Sequence, residues 1–127
     1  MRNRVIAHRH HSALAAVLLF ALALTVTGCS GSSHVDASNA TVVDVRTAAE
    51  FASGHLQGAV NIDVTASDFT AKIGALPKDA TYLLYCRSGT RAGQALTIMQ
   101  QQGFAHVTNL GSVQAASSAT GLAVVTG

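Results

Sequence analysis

The sequence has few of the residues that nucleic-acid-binding surfaces use. Among its 127 residues there is no tryptophan, there are two tyrosines and four phenylalanines, and only 11% of the residues are charged. Nucleic-acid-binding domains present clustered lysine and arginine, and single strands also stack their bases on aromatic side chains. The chain has neither a basic stripe nor such aromatic platforms, so we expect no nucleic-acid partner.

Metal-ligand patterns and internal repeats are also missing. The histidines His34, His55 and His106 are widely separated, and their spacing does not match that of a metal site. We therefore expect no metal and no other cofactor. The length allows a single domain.

The first 28 residues differ in character from the rest. Arg2, Arg4 and Arg9 precede an apolar run from residue 13 to 26 that only Thr25 interrupts. This run is shorter than the roughly 20 residues that span a bilayer, which is typical of a signal peptide. A signal anchor is the alternative. Removing residues 1–28 changes the formal net charge from +2 to −1, because three of the eight basic residues and none of the six acidic ones leave.

The end of the leader, Val26-Thr27-Gly28-Cys29, resembles the lipobox of bacterial lipoproteins, in which the cysteine is acylated and becomes the new N-terminus. This resemblance implies a lipid on Cys29 and attachment to a membrane outside the cytoplasm. Residues 29–40 would then form a flexible, serine-rich tether, and residues 41–127 the folded domain. Cys86 would be the only thiol, so no intramolecular disulfide is available.

Apolar runs and helical spacings alternate along residues 41–127, which predicts an α/β fold with a central parallel sheet and helices on both faces. Thr47 and Glu50 form a capping box for a short helix that Gly54 ends, with Phe51 directed into the core. Ser67 is the expected cap of the next helix. We expect strands at residues 41–45, 59–62, 82–86 and 107–110, a loop at 55–58, and helices at 47–54, 67–77 and 92–102.

The ten residues from Tyr82 to Arg91 carry the clearest chemical signal. A buried strand ends at Cys86, and a short loop with two arginines and a glycine leads directly into a helix. Backbone amides and the positive end of the helix dipole would surround the sulfur. Such surroundings lower the pKa of a cysteine below its free value of about 8.5 and favour the reactive thiolate.

This loop, Cys86-Arg87-Ser88-Gly89-Thr90-Arg91, resembles the active-site loop of rhodanese-type sulfurtransferases. The segments Asp44-Val45-Arg46, Glu50-Phe51, Gly54-His55 and Gly58-Ala59-Val60-Asn61-Ile62 resemble the first half of the same domain. The resemblance covers nearly everything after residue 40 and is greatest to small exported members of the phage-shock type. It weakens after Leu110, where relatives carry a glycine pair and an aromatic-bearing helix.

The resemblance implies a role for each loop residue. Cys86 is the expected nucleophile; the alternative is a buried structural cysteine. Arg91 is the better candidate for binding an anionic substrate, and Arg87 is either a second contact or a charge at the rim. Ser88, Gly89 and Thr90 would supply backbone amides.

Asp44 and Arg46, at the end of their own strand, are expected near the site. The alternative for them is an internal ion-pair network that orders the loops, for instance between Arg46 and Glu50. His55 is expected to pack in a loop rather than to act as a base.

These residues imply a thiosulfate sulfurtransferase that works through a persulfide on Cys86 and passes the sulfur to a thiol or cyanide. The loop has four residues between Cys86 and Arg91, one fewer than the related cysteine phosphatases, which favours sulfur over phosphate as the bound group. We expect a monomer anchored at the cell envelope. The alternatives are a binding or redox-sensing module and a sulfur-carrier partner of another envelope protein.

Overall fold

The computed structural model describes residues 33–127. The predicted signal peptide, the lipidation site at Cys29 and the first part of the predicted tether lie outside this range. In the part of the chain that is described, no helix has the length and hydrophobicity needed to cross a membrane.

The strands and helices of the described residues, in chain order, are β1 (Ala40–Asp44), α1 (Ala48–Ser53), β2 (His55–Leu56), β3 (Val60–Asn61), α2 (Phe69–Gly74), β4 (Thr81–Cys86), α3 (Thr90–Gln101), β5 (His106–Ser112), α4 (Val113–Thr120) and β6 (Val124–Val125). Four of the strands form a parallel sheet in the order β3-β1-β4-β5, and the two short strands β2 and β6 pair antiparallel in a second sheet. The predicted α/β fold with a central parallel sheet is confirmed.

Strand β4 is buried on both faces because its side chains alternate between two apolar clusters. Tyr82, Leu84 and Cys86 face α2 and α3, where Phe69, Ile73, Ala92, Ala95 and Met99 complete the cluster. Leu83 and Tyr85 face the other side, where Val113 and Ala116 of α4 cover them together with Leu56. Both clusters hold β4 in place, and the position of Cys86 at its carboxyl end is fixed with it.

The segment around α1 and α2 departs from the sequence prediction in three places. Phe51 is only half-buried and stacks on His55 with ring centroids 3.6 Å apart, because α1 lies at the surface and buries none of its residues. His55 and Leu56, predicted as loop, pair with the C-terminal strand β6. The N-cap of α2 is Asp68 rather than Ser67, and its side chain makes no capping hydrogen bond.

Part of the predicted tether contacts the domain. The backbone amide of Val35 donates to the carbonyl of Ala119 over 2.7 Å. The side chains of Val35 and Ala37 pack against the cluster beneath α4. The sequence predicts a mobile tether up to residue 40. Val35 and Ala37 contact the domain instead, because burying their apolar side chains against this cluster is favourable in water.

Candidate active site

Cys86 is the last residue of β4 and has 0% of its surface exposed. The chain turns directly after it, so that the amide of Gly89 points back and donates to the Cys86 sulfur, with 3.0 Å between nitrogen and Sγ. Helix α3 begins at Thr90, two residues earlier than the sequence predicted. The first turn of α3 therefore belongs to the loop that surrounds the sulfur.

The pKa of the Cys86 thiol lies below its ordinary value. Burial raises this pKa, but hydrogen bonds from the backbone amides of Ala92, Ser88, Gly89 and Arg91 together lower it by more. These amides belong to the loop and to the first turn of a helix, where backbone N–H groups have no partner within the helix. The arrangement therefore favours a thiolate, the nucleophilic form of cysteine.

Gly89 gives the loop its shape. Its φ of +95° lies in the left-handed region, where residues with a Cβ are strained. A Cβ on Gly89 would also lie 3.2 Å from the Cα of Gly111 on β5. Glycine therefore satisfies both the turn that aims the amide at Cys86 and the close approach of β5.

Arg91 makes a two-pronged ion pair with Glu50. Its Nη1 and Nη2 atoms each lie 2.8 Å from one carboxylate oxygen of Glu50. The side chains are 25% and 31% exposed, so the pair is partly shielded from water. The expected role of Arg91 in binding a substrate anion stays a prediction, and both ends of its guanidinium fork already contact a carboxylate in this structure.

Asp44 and Arg46 form a second ion pair at the end of β1, which neighbours β4. The Nη2 atom of Arg46 lies 2.6 Å from Asp44 Oδ2 and donates to the carbonyl of Gly54 over the same distance. Asp44 is fully buried. These contacts connect β1 to the end of α1, as expected for an ion-pair network that orders loops. The suggested partner, Glu50, is wrong, because Glu50 pairs with Arg91 instead.

The remaining loop residues lie at the surface. Arg87, Ser88 and Thr90 are exposed, and the Ser88 and Thr90 hydroxyl oxygens are 3.4 Å apart. Their side chains are therefore positioned to meet a molecule that approaches the loop, whereas the amides of Ser88 and Gly89 face the sulfur. His55 contacts α1 instead: its Nδ1 lies 2.8 Å from the carbonyl oxygen of Phe51, which can only accept, so the ring donates this hydrogen bond.

Sequence reasoning missed two residues that support the loop. Asn109 on β5 donates from its side-chain nitrogen to the carbonyl of Gly89 over 2.9 Å. From the sequence, Glu50 is assigned to a capping box, which the structure confirms, and suggested as a partner of Arg46, but its pairing with Arg91 is not predicted. Neither contact has a local sequence signal, since Glu50 and Arg91 are 41 positions apart and Asn109 and Gly89 are 20 apart.

A cavity of about 530 Å³ lies elsewhere, and Cys86 does not line it. Its lining includes Ala40 and Thr41, at the amino end of β1, together with His34 and Asp36. In a parallel sheet this edge is opposite to the carboxyl edge at which Cys86 lies. Its volume alone does not make it the catalytic centre, because the residues with reactive chemistry are around Cys86.

Two sequence comparisons identify proteins that this chain resembles. A family model described as the rhodanese-like domain matches residues 32–119. The chain is 36% identical over 75 residues to a sulfurtransferase of Allochromatium vinosum, an alignment that covers 59% of this chain and 68% of that protein. It is 32% identical over 72 residues to the thiosulfate sulfurtransferase PspE of Escherichia coli, covering 57% of this chain and 69% of that protein.

Solved structures show the same architecture. A structure described as a rhodanese with anions from Escherichia coli matches with a TM-score of 0.59 at 28% identity, covering 69% of this chain and 99% of that one. A solution structure of a Helicobacter pylori protein matches with a TM-score of 0.60 at 30% identity, covering 75% of this chain and 86% of that one. Together with the family match over most of its length, these findings show that the chain belongs to the rhodanese-like domain family.

Proposed function

We propose that this protein is a thiosulfate sulfurtransferase. The observation that carries the proposal is the Cys86 thiol, held beneath backbone amides that lower its pKa. The resemblance to proteins named as sulfurtransferases supports the same reaction class. A nucleophile that forms a covalent intermediate divides one difficult transfer into two easier steps.

In the first step the Cys86 thiolate attacks the sulfane sulfur of thiosulfate. A bond forms between the Cys86 sulfur and that sulfur, the sulfur–sulfur bond of thiosulfate breaks, and sulfite leaves with the electron pair. The amides of Ser88 and Gly89 stabilise the charge on the persulfide anion that remains. We assign the leaving sulfite to the guanidinium of Arg87, an exposed residue of the loop, because the guanidinium of Arg91 already contacts Glu50.

In the second step an acceptor removes the outer sulfur. Cyanide attacks this sulfur, the bond to the Cys86 sulfur breaks, and thiocyanate leaves while the Cys86 thiolate is restored. A thiol acceptor reacts at the same atom and becomes a persulfide itself. Neither step needs an external oxidant or reductant, so Cys86, Arg87 and the surrounding amides are enough for the proposed chemistry.

Access to Cys86 requires movement of the loop. Because 0% of Cys86 is exposed, a donor cannot touch its sulfur without displacing part of the covering residues. The exposed loop residues Arg87, Ser88 and Thr90 are the part that can move with little loss of packing. We therefore include a small opening of this loop in the proposal.

The test is the intact mass of the full-length chain carrying Cys29→Ala, in which Cys86 is the only thiol. Incubation with thiosulfate is expected to add one sulfur atom, and cyanide is expected to remove it with release of thiocyanate. Cys86→Ser, close in size to the original, is expected to stay folded and to show neither change. A protein that remains at its original mass would contradict the proposal and favour a binding module.

We propose in addition that the reaction takes place at the cell envelope, with the domain held to a membrane through a lipid on Cys29. The support is the leader and the lipobox-like segment that ends at this cysteine. One or two acyl chains are enough to anchor a small domain. The sulfur donor and acceptor would then be small molecules outside the cytoplasm.

A further inference from the structure

We propose that Glu50 is a positioning residue for the Cys86 loop, acting through its two-pronged contact with Arg91. The inference rests on the proposed function for its effect on sulfur transfer, but it also makes a separate claim about the thiol itself. It assigns Glu50 the task of fixing the first turn of α3, and with it the amides that face Cys86.

The carboxylate of Glu50 is held in place by contacts at the start of its own helix, α1. One of its oxygens, Oε2, accepts from the Thr47 amide over 3.2 Å and from the Thr47 hydroxyl over 3.0 Å. The carbonyl of Gly54, at the other end of α1, accepts from Arg46, which pairs with the buried Asp44. The helix that carries this carboxylate is therefore held at both ends, by the capping box at Thr47 and by the contact of Gly54 with Arg46.

The backbone of Arg91 is part of the ring of amides around Cys86. Arg91 is the second residue of α3, and its amide is one of the four that lower the pKa of Cys86. The amide of Ala92, the next residue, is another. A carboxylate that fixes the Arg91 side chain at two points limits the tilt of this turn, because a fork held by two parallel bonds has little freedom.

Glu50 could act on Cys86 in two ways, by neutralising the charge of Arg91 or by positioning the backbone amides. Glu50, Asp63 and the Cys86 thiolate are the charged groups that act on Arg91. If Glu50 only neutralised Arg91, then removing its charge would leave a bare guanidinium near the sulfur and would lower the pKa of Cys86. If Glu50 positions the amides, removing it would let them move away and would raise that pKa. The two roles therefore predict shifts of opposite sign.

The variant Glu50→Gln tests this difference while it preserves the helix start, because glutamine also serves at this position of a capping box. It is made in the full-length chain with Cys29→Ala, and the rate of iodoacetamide alkylation is followed against pH. We expect the midpoint to rise, and kcat/KM for thiosulfate to fall by about tenfold as expected for a misplaced site. Alkylation needs no sulfur transfer, so this claim can be judged even if the proposed activity is absent.

The matched control is Asp68→Asn, which removes the carboxylate of the exposed Asp68–Lys72 pair and is expected to leave the midpoint unchanged. Should Glu50→Gln fail to fold, Arg91→Lys provides the same test, since it retains the charge but loses the two-pronged contact; its midpoint is also expected to rise. A midpoint that falls or stays constant in the folded variant would overturn the proposal.

Discussion

The side-chain amide of Asn109 connects β5 to the Cys86 loop. Its nitrogen donates to the carbonyl of Gly89 over 2.9 Å, and its oxygen accepts from the amide of Gly111 over 2.9 Å. Gly111 is also the residue whose Cα limits the space beside Gly89. The loop is therefore supported by the strand next to β4 as well as by Glu50 on α1.

Replacing Asn109 tests this support. Asn109→Ala removes both hydrogen bonds at an exposed position, so the free energy of unfolding is expected to fall by only about 1 kcal/mol. The rate of persulfide formation is also expected to fall, because the Gly89 amide that faces the sulfur loses its support. Thr108→Ala, exposed and adjacent on the same strand, is the control. Equal rates in the two variants would show that Asn109 has no part in the site.

Comparing alanine variants of Gly89 and Gly103 separates the cost of left-handed backbone strain from the effect of disturbing the Cys86 loop. Gly89 and Gly103 have φ values of +95° and +90°, but only a Cβ at Gly89 meets another backbone atom within 4 Å. Gly103→Ala is expected to lose about 1 to 2 kcal/mol of stability from the left-handed backbone alone.

Gly89→Ala adds the close contact with Gly111, so we expect it to be less stable than Gly103→Ala. Its rates of Cys86 alkylation and of persulfide formation are expected to fall to a small fraction of the wild-type rates. Urea unfolding and intact mass measure the two effects. A Gly103→Ala variant as inactive as Gly89→Ala would mean that lost stability, not loop geometry, causes the loss of activity.

The sequence predicted the sheet and the loop because their signals are local. The buried strand before Cys86, the glycine after it and the Thr47 capping box each depend on residues within a few positions of one another. Such patterns follow from side-chain periodicity and backbone geometry, which act over short separations.

The contacts that the sequence did not predict join distant segments. Glu50 pairs with Arg91 because the fold brings α1 close to the start of α3. The spacing of residues along the sequence does not predict this contact. The pairing of His55 with Val125 likewise depends on the C-terminal segment returning to β2. Phe51 was assigned to the core on hydrophobicity alone, although at the surface a histidine ring covers it.

The proposed anchor can be tested at Cys29. Acylation and cleavage at this cysteine require its thiol, so Cys29→Ala is expected to retain residues 1–28 and to carry no lipid. The wild-type chain is expected to begin at residue 29 with acyl chains attached and to enter the detergent phase on partitioning. Intact mass after expression in a bacterial host distinguishes the two. A wild-type protein recovered from the aqueous phase without added lipid mass would contradict the anchor.

Acid should weaken the fold through Glu50. The hydrogen bond from Arg91 is the main cause that lowers the pKa of Glu50 from 4.5 to about 2. A carboxylate whose pKa is lower in the folded state stabilises the protein above its unfolded pKa, and this contribution disappears as the pH falls through the folded value. The stabilisation by Glu50 is therefore complete above about pH 4.5 and is lost by about pH 2.

The difference in unfolding free energy between the wild-type chain and Glu50→Gln isolates this effect, because the other carboxylates titrate in both proteins. We expect a difference of about 1 kcal/mol at neutral pH, since both side chains of the pair are partly exposed and water screens them. Urea unfolding between pH 7 and pH 2 should show the difference shrinking towards zero in acid, whereas Asp68→Asn should stay close to the wild type throughout. A difference that is the same at every pH would mean that Glu50 stabilises the fold by packing and capping rather than through its charge.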